Sequence, residues 1–365
     1  MFLDEINKLD LDFNNNVKMS LDINLIKIYK DFNKKIKDIE NYNETLENDF
    51  DIDFFINSYN YSKKMEKSIK NLKKLKKIKY RFNNTNVHIN LYYNKFSKNN
   101  ISRIINLINF NITLFESINN KTRDNVNINI LLTNHKKQIN INKDNQLTKE
   151  NINSGYTQFS HNPNENFIVI YRNEELLKVL THEMIHLYDL HSHQRIHTKI
   201  NTVIKNNNKF FSIYESYTEA FAIIFYTFYY SKQHNLDFKE LLNSQVKFNY
   251  IQCAKLLYSQ NIMNANDISN MNIREIKEET NAISYFLLKT CILSNLNKFK
   301  KLFNKNNGFE LENKNRVIEF DNILIKSFKS EKNKFNKSLN LIKNNKLDNK
   351  IDNKLLKSFR MNILD

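Results

Sequence analysis

The chain has 365 residues, enough for one large domain or two to three small ones, and 41% of them are hydrophobic, enough for a sizeable core. Two glycines, one proline and no tryptophan leave few turn breakers, so helices should dominate and asparagine should fill the loops. The net charge of +17 is carried by lysines spread along the whole chain, as an AT-rich coding sequence would supply them, and no nucleic-acid partner is expected from it.

The start, MFLDEINKLDLDF, is acidic and lacks the basic segment and apolar run of a signal peptide. Residues 1–80 otherwise read as helices. Leu25, Ile28, Phe32 and Ile36 form one stripe of a helix from Leu21 to Ile39, and a second helix is expected from about Phe54 to Lys77. The densest basic run, Lys73-Lys74-Leu75-Lys76-Lys77, reads as its solvated end. No catalytic cluster appears in this region.

The pattern changes near residue 86. Val87, Ile89, Leu91 and Tyr93 alternate with polar residues, as a strand does. Residues 98–118 return to helical spacing, and Val126, Ile128, Ile130 and Leu132 alternate again. A short strand over Gly155 to Phe159, a turn around Asn162-Pro163-Asn164 and an apolar strand over Phe167 to Tyr171 follow. Asn173 is the expected N-cap of a helix that runs to about Leu190, with Glu174 and Glu175 in its first turn. The order fits a small mixed sheet with helices on one face. Beyond residue 232 only helices are expected, over about 237–260, 281–304 and 314–345 and at the end. Cys253 and Cys291 fall in apolar helical patterns and read as buried free thiols. The longest apolar stretch, Ala220 to Tyr230, is too short to span a bilayer. A soluble intracellular protein with no membrane partner is expected, and export that needs no signal peptide stays open.

His182-Glu183-Met184-Ile185-His186 carries the chemistry. Four residues apart on a helix, the two histidines share one face and can reach one ion. Neutral imidazole suits Zn2+, which keeps an open position in catalytic sites. Glu183 lies about 100° around the helix from His182, near the metal without binding it, where a general base would act on water. Two surface histidines on an amphipathic helix would give the same letters. However, Leu176, Leu177, Leu180, Met184 and Leu187 make this helix largely apolar, and a buried helix should not carry such groups without partners.

A third ligand is sought on the helix from Ser212 to Ser231. Glu215 and Glu219 lie one turn apart there, in an otherwise apolar sequence. One would bind the metal and the other would fix a histidine tautomer. Ser212 and Glu215 also have capping-box spacing. His191, His193 and His197 crowd the segment after the first helix and read as loop residues, with metal binding as their alternative. Asp189 continues the histidine face, either to orient a ligand or to cap the helix end. Tyr214, Tyr217, Tyr156 and His234 are candidates for stabilising an oxyanion, and the tyrosine and phenylalanine run at 225–230 reads as core.

HExxH followed by a glutamate on a second helix resembles the gluzincin zinc metallopeptidases. More narrowly, His182-Glu183-x-x-His186-x-x-Asp189 with Glu215-x-x-x-Glu219-Ala220-Phe221 is similar to the catalytic domains of anthrax lethal factor and its relatives, over about residues 150–230. The resemblance implies one zinc ion held by His182, His186 and Glu215, Glu183 as general base, and Glu219 in support of a ligand histidine. It also implies a peptide aligned along the strand of Gly155, Tyr156 and Thr157. The mitochondrial inner-membrane peptidases share HExxHxxD and would select Glu219 as ligand instead. The metzincin pattern fails at Asp189 and Ser192.

The expected fold is α+β and helix-rich. It comprises a helical N-terminal region over 1–80, a zincin-like catalytic core over 81–232, and a helical C-terminal subdomain over 233–365 forming the other side of the cleft. The expected function is a zinc-dependent metallopeptidase acting on a protein or peptide substrate. Two other classes stand beside it: a zincin fold that binds a partner without hydrolysis, and a basic helical nucleic-acid-binding or structural protein with a chance HExxH. Oligomeric state is not legible.

Overall fold

A computed structural model describes residues 3–9, 24–37, 39–119, 122–140, 146–190, 198–204, 212–269, 276–304, 314–348 and 353–364. The fold is α+β and helix-rich, and the chain divides into two compact units. One comprises residues 23–136 and 153–190; the other comprises 1–22, 137–152 and 191–365.

The first unit is built on a six-stranded mixed sheet of β1 (Glu40–Glu47), β2 (Lys74–Phe82), β3 (Thr85–Tyr93), β4 (Asn125–Leu131), β5 (Gly155–Gln158) and β6 (Phe167–Ile170). Their spatial order is β1-β2-β3-β4-β6-β5. β3, β4 and β6 run parallel, while the pairs at either end are antiparallel. The helices α1 (Leu25–Lys35), α2 (Lys98–Asn119) and α3 (Leu176–Leu187) complete it, with short helices at Asp53–Ser58 and Lys63–Lys70.

The two faces of the sheet are covered by different segments. On one, Tyr80 donates to Asn109 of α2 (2.9 Å), and Asn111 of α2 donates to Thr181 of α3 (3.2 Å). On the other, Phe55, Tyr61, Met65, Ile69 and Leu72 pack on Leu75, Tyr92, Leu131, Val169 and Tyr171. The expectation of helices on one face therefore fails, because the segment from Asp53 to Leu72 supplies a second apolar layer. α1 starts at its cap Asn24, whose side chain accepts from Lys27 N–H (2.9 Å), and buries Leu25, Ile28 and Phe32.

The expectation of helices alone before residue 80 also needs correction: β1 and β2 lie there. Leu75, Ile78 and Phe82 are spaced as a helical stripe, yet they are buried positions of a strand. The lysine run is not a helix end. Lys76 pairs with Glu44 (2.8 Å) and Lys77 with Glu47 (2.7 Å) across β1 and β2. The β2–β3 hairpin closes through Asn83-Asn84 with Phe82 opposite Thr85, and Asn83 takes the left-handed conformation (φ 53°) usually given to glycine. Asn235 and Asn261 do the same after later helices, as the scarcity of glycine implied.

The second unit is helical where described at length: α4 (Ile213–Gln233), α5 (Phe238–Ser259), a π-helical turn (Ile283–Leu288) running into α6 (Lys289–Ser294), a helix at Leu296–Asn304, and α7 (Lys314–Asp348). α4 is buried nearly all round. Its aromatic run belongs to the core, as do the free thiols of Cys253 and Cys291. Among the described residues no helix is long and apolar enough to cross a membrane.

Candidate metal centre and catalytic base

β6 leads into α3 through a turn unlike the one expected. Asn173 does not cap the helix. Its N–H donates to Thr133 O (3.0 Å), and the N-cap is Glu175, held left-handed (φ 60°) with no side-chain cap bond. α3 then buries every residue from Leu176 to Ile185.

On its histidine face, His182 Nε2 and His186 Nε2 lie 3.0 Å apart. His182 and Glu183 are buried and His186 is half-buried. α3 ends at Leu187, one turn sooner than expected. Asp189 is therefore not on the helical face: it is left-handed (φ 52°) and its N–H donates to His186 O (2.9 Å), which closes the helix end. Arg123 is a nearby positive charge whose own pKa Asp189 raises, although burial lowers it overall.

Glu183 is held against β5. Thr157 Oγ1 donates to Glu183 Oε2 (2.9 Å) and also lies 3.1 Å from the Glu183 carbonyl oxygen. Gly155 faces the other carboxylate oxygen. A Cβ there would stand 2.9 Å from Val169 O, 3.0 Å from Val179 Cγ1 and 3.1 Å from Glu183 Oε1. α3 thus rests on a strand position that only glycine fits without displacement.

β5 is the last strand of the sheet. Tyr171 N–H donates to Ser154 O (2.9 Å), so by antiparallel alternation Tyr156 and Gln158 also bond to β6. The main-chain groups of Gly155 and Thr157 point away from it, and none is hydrogen-bonded among the described residues. Tyr156 projects to the opposite face from Thr157, where it stacks on Tyr59 (4.6 Å) and hydrogen-bonds Ser58 (3.0 Å). That removes it from the oxyanion candidates.

In the helical unit, Glu215 and Glu219 lie one turn apart at the start of α4. The capping box does not form, since the Ser212 side chain makes no cap bond; Ser212 N–H donates to Asn281 Oδ1 (3.1 Å) instead. Glu219 has a partner that the sequence did not disclose: Lys289 Nζ lies 3.7 Å from Glu219 Oε1, both side chains being essentially inaccessible. A lone lysine inside the apolar run from Phe286 to Leu293 was the available signal. Tyr217 packs on Phe221 and Phe320, as a core residue does. His234 caps the far end of α4, about 28 Å along the helix from Glu215 at ~1.5 Å per residue, too far to share its site. Tyr214 remains beside Glu215. His191, His193 and His197 lie outside the described residues.

No protein-family model matches the chain, and no solved structure matches it. The chain is similar to an uncharacterized protein of Acanthamoeba polyphaga mimivirus, 27% identical over 194 residues, covering 48% of each. The chain thus spans about half the length of that relative.

Proposed function

We propose that this protein is a zinc metallopeptidase, with His182, His186 and Glu215 as ligands and Glu183 as general base. The observation that carries the reading is the 3.0 Å separation of the two Nε2 atoms on the buried face of α3. Two nitrogens at Zn–N distances of about 2.0–2.1 Å and a tetrahedral angle would stand roughly 3.3 Å apart, so the pair fits with little adjustment. Two imidazoles and a carboxylate are a ligand set that suits zinc, and Glu215 would supply the carboxylate. The Lys289 ion pair engages Glu219 and favours Glu215 as the ligand.

A bound zinc ion would supply a Lewis acid that polarises a carbonyl and eases deprotonation of water. Glu183 takes the proton of the attacking water on its carboxylate and returns it to the leaving amine. The outward main-chain groups of Gly155 and Thr157 align an extended substrate by adding a strand to β5.

The test is metal analysis of the purified chain together with digestion of a random peptide library. Near-stoichiometric zinc and cleavage are expected, and Glu183→Gln should keep the zinc and stop cleavage. Failure to take up zinc, or undiminished cleavage by Glu183→Gln, would sink the reading.

A further inference from the structure

Two residues of β5 touch the carboxylate of Glu183 from the same side, and neither is needed to hold a metal. We infer that Thr157 is a positioning residue for the general base, working with the bare Cα of Gly155 to fix where the Glu183 carboxylate stands. The inference rests on the reading of Glu183 as the base.

A glutamate side chain has three torsions, and burial alone does not choose among its rotamers. Here the two carboxylate oxygens are differentiated. Oε2 accepts the Thr157 hydroxyl proton at 2.9 Å. Oε1 lies over Gly155, 3.1 Å from where a Cβ would be. The bond to Thr157 therefore fixes which carboxylate oxygen faces Thr157 and which faces Gly155. The same hydroxyl lies 3.1 Å from the Glu183 carbonyl oxygen, so its one proton is shared between the main chain and the carboxylate of residue 183, with the shorter contact to the carboxylate. Thr157 sits beside main-chain groups that point off the sheet edge, so the element that would align a substrate also aims the base.

Composition supports a specific demand at this place. The chain has two glycines in 365 residues and uses asparagine at left-handed turns where glycine is usual. Glycine is kept at residue 155, where no positive φ requires it and where a Cβ would crowd Val169 O, Val179 and the Glu183 carboxylate together.

The test uses the full-length zinc-reconstituted chain with Thr157→Val, which keeps the shape and removes the hydroxyl, and Thr157→Ser, which keeps the hydroxyl. Thr157→Ala stands in for valine should that variant fold poorly. Four quantities are read: bound zinc, kcat and KM on a library-derived peptide, and the Glu183 side-chain position in crystals. The hydroxyl-free variants should keep their zinc and KM. They should lose about 10- to 100-fold in kcat, the rate equivalent of one hydrogen bond to a charged group. In crystals Glu183 should leave its wild-type rotamer, and Thr157→Ser should restore both rate and rotamer. Wild-type kcat without the hydroxyl, or an unmoved Glu183 carboxylate, overturns the inference. If the wild-type chain cleaves nothing, the peptidase reading has failed, and the crystallographic comparison still decides whether Thr157 positions Glu183.

Discussion

Lys289 and Glu219 face each other at 3.7 Å in the interior of the helical unit, each with essentially no exposed side-chain surface. Lys289 also donates to Met361 O (3.4 Å), which joins the start of α4 to the last residues of the described chain. Removing one buried charge strands the other. Lys289→Met should lower the unfolding free energy in urea by about 3–5 kcal/mol. Adding Glu219→Gln should recover part of that loss, and a strictly additive double variant would show that the two groups are not coupled.

The same pair separates the roles of the two glutamates. Glu215→Ala should abolish stoichiometric zinc, whereas Glu219→Ala should weaken zinc by about 10- to 100-fold, as changes behind a ligand do. Competition with a chelator of known affinity measures both. The opposite ranking would assign the ligand to Glu219.

Gly155→Ala places a methyl group against Val169 O at 2.9 Å, a main-chain atom with little freedom to move. A cost of about 1–3 kcal/mol is expected in thermal or urea unfolding, from overpacking between β5 and α3. Cleavage should fall further than zinc content, because Glu183 stands closer to the new methyl group than the histidines do.

The thiols should be silent. Burial pushes the Cys253 thiol from 9.0 up to about 12, with its contact to Thr290 and the charge of Lys289 pulling modestly the other way. Burial also raises Cys291 well above the ordinary value. Neither should react with a disulfide reagent at pH 8 until urea is added. A raised thiol pKa means that the unfolded chain releases its proton first. The contribution of Cys253 to stability is therefore constant below about pH 9 and is lost as pH climbs from there toward 12. Rapid labelling of the folded chain would contradict the burial of both groups.

The elements that carry the candidate site were legible because each has one period. β3 and β4 alternate cleanly, and α3 and α4 are apolar runs interrupted by a few costly groups. β1 and β2 were not legible, because Leu75, Ile78 and Phe82 mimic helical spacing and the lysines between them pair with glutamates of a strand that is itself polar. Asn173 looked like a cap but is drawn to Thr133, a tertiary bond that local sequence does not encode. The Thr157–Glu183 and Lys289–Glu219 contacts were missed for a related reason: the partners lie 26 and 70 residues apart, and only the folded chain brings them together.

The open side of β5 has a cost that concerns the protein when no substrate is near. A strand at the end of a sheet is a template for any extended chain, including another copy of itself. β5 is four residues long, and only Gly155 and Thr157 turn their main-chain groups outward. Pairing with a stray chain can therefore gain only a few hydrogen bonds. An extended chain held by this ladder alone is held briefly, so a lasting partner at this edge needs contacts beyond β5.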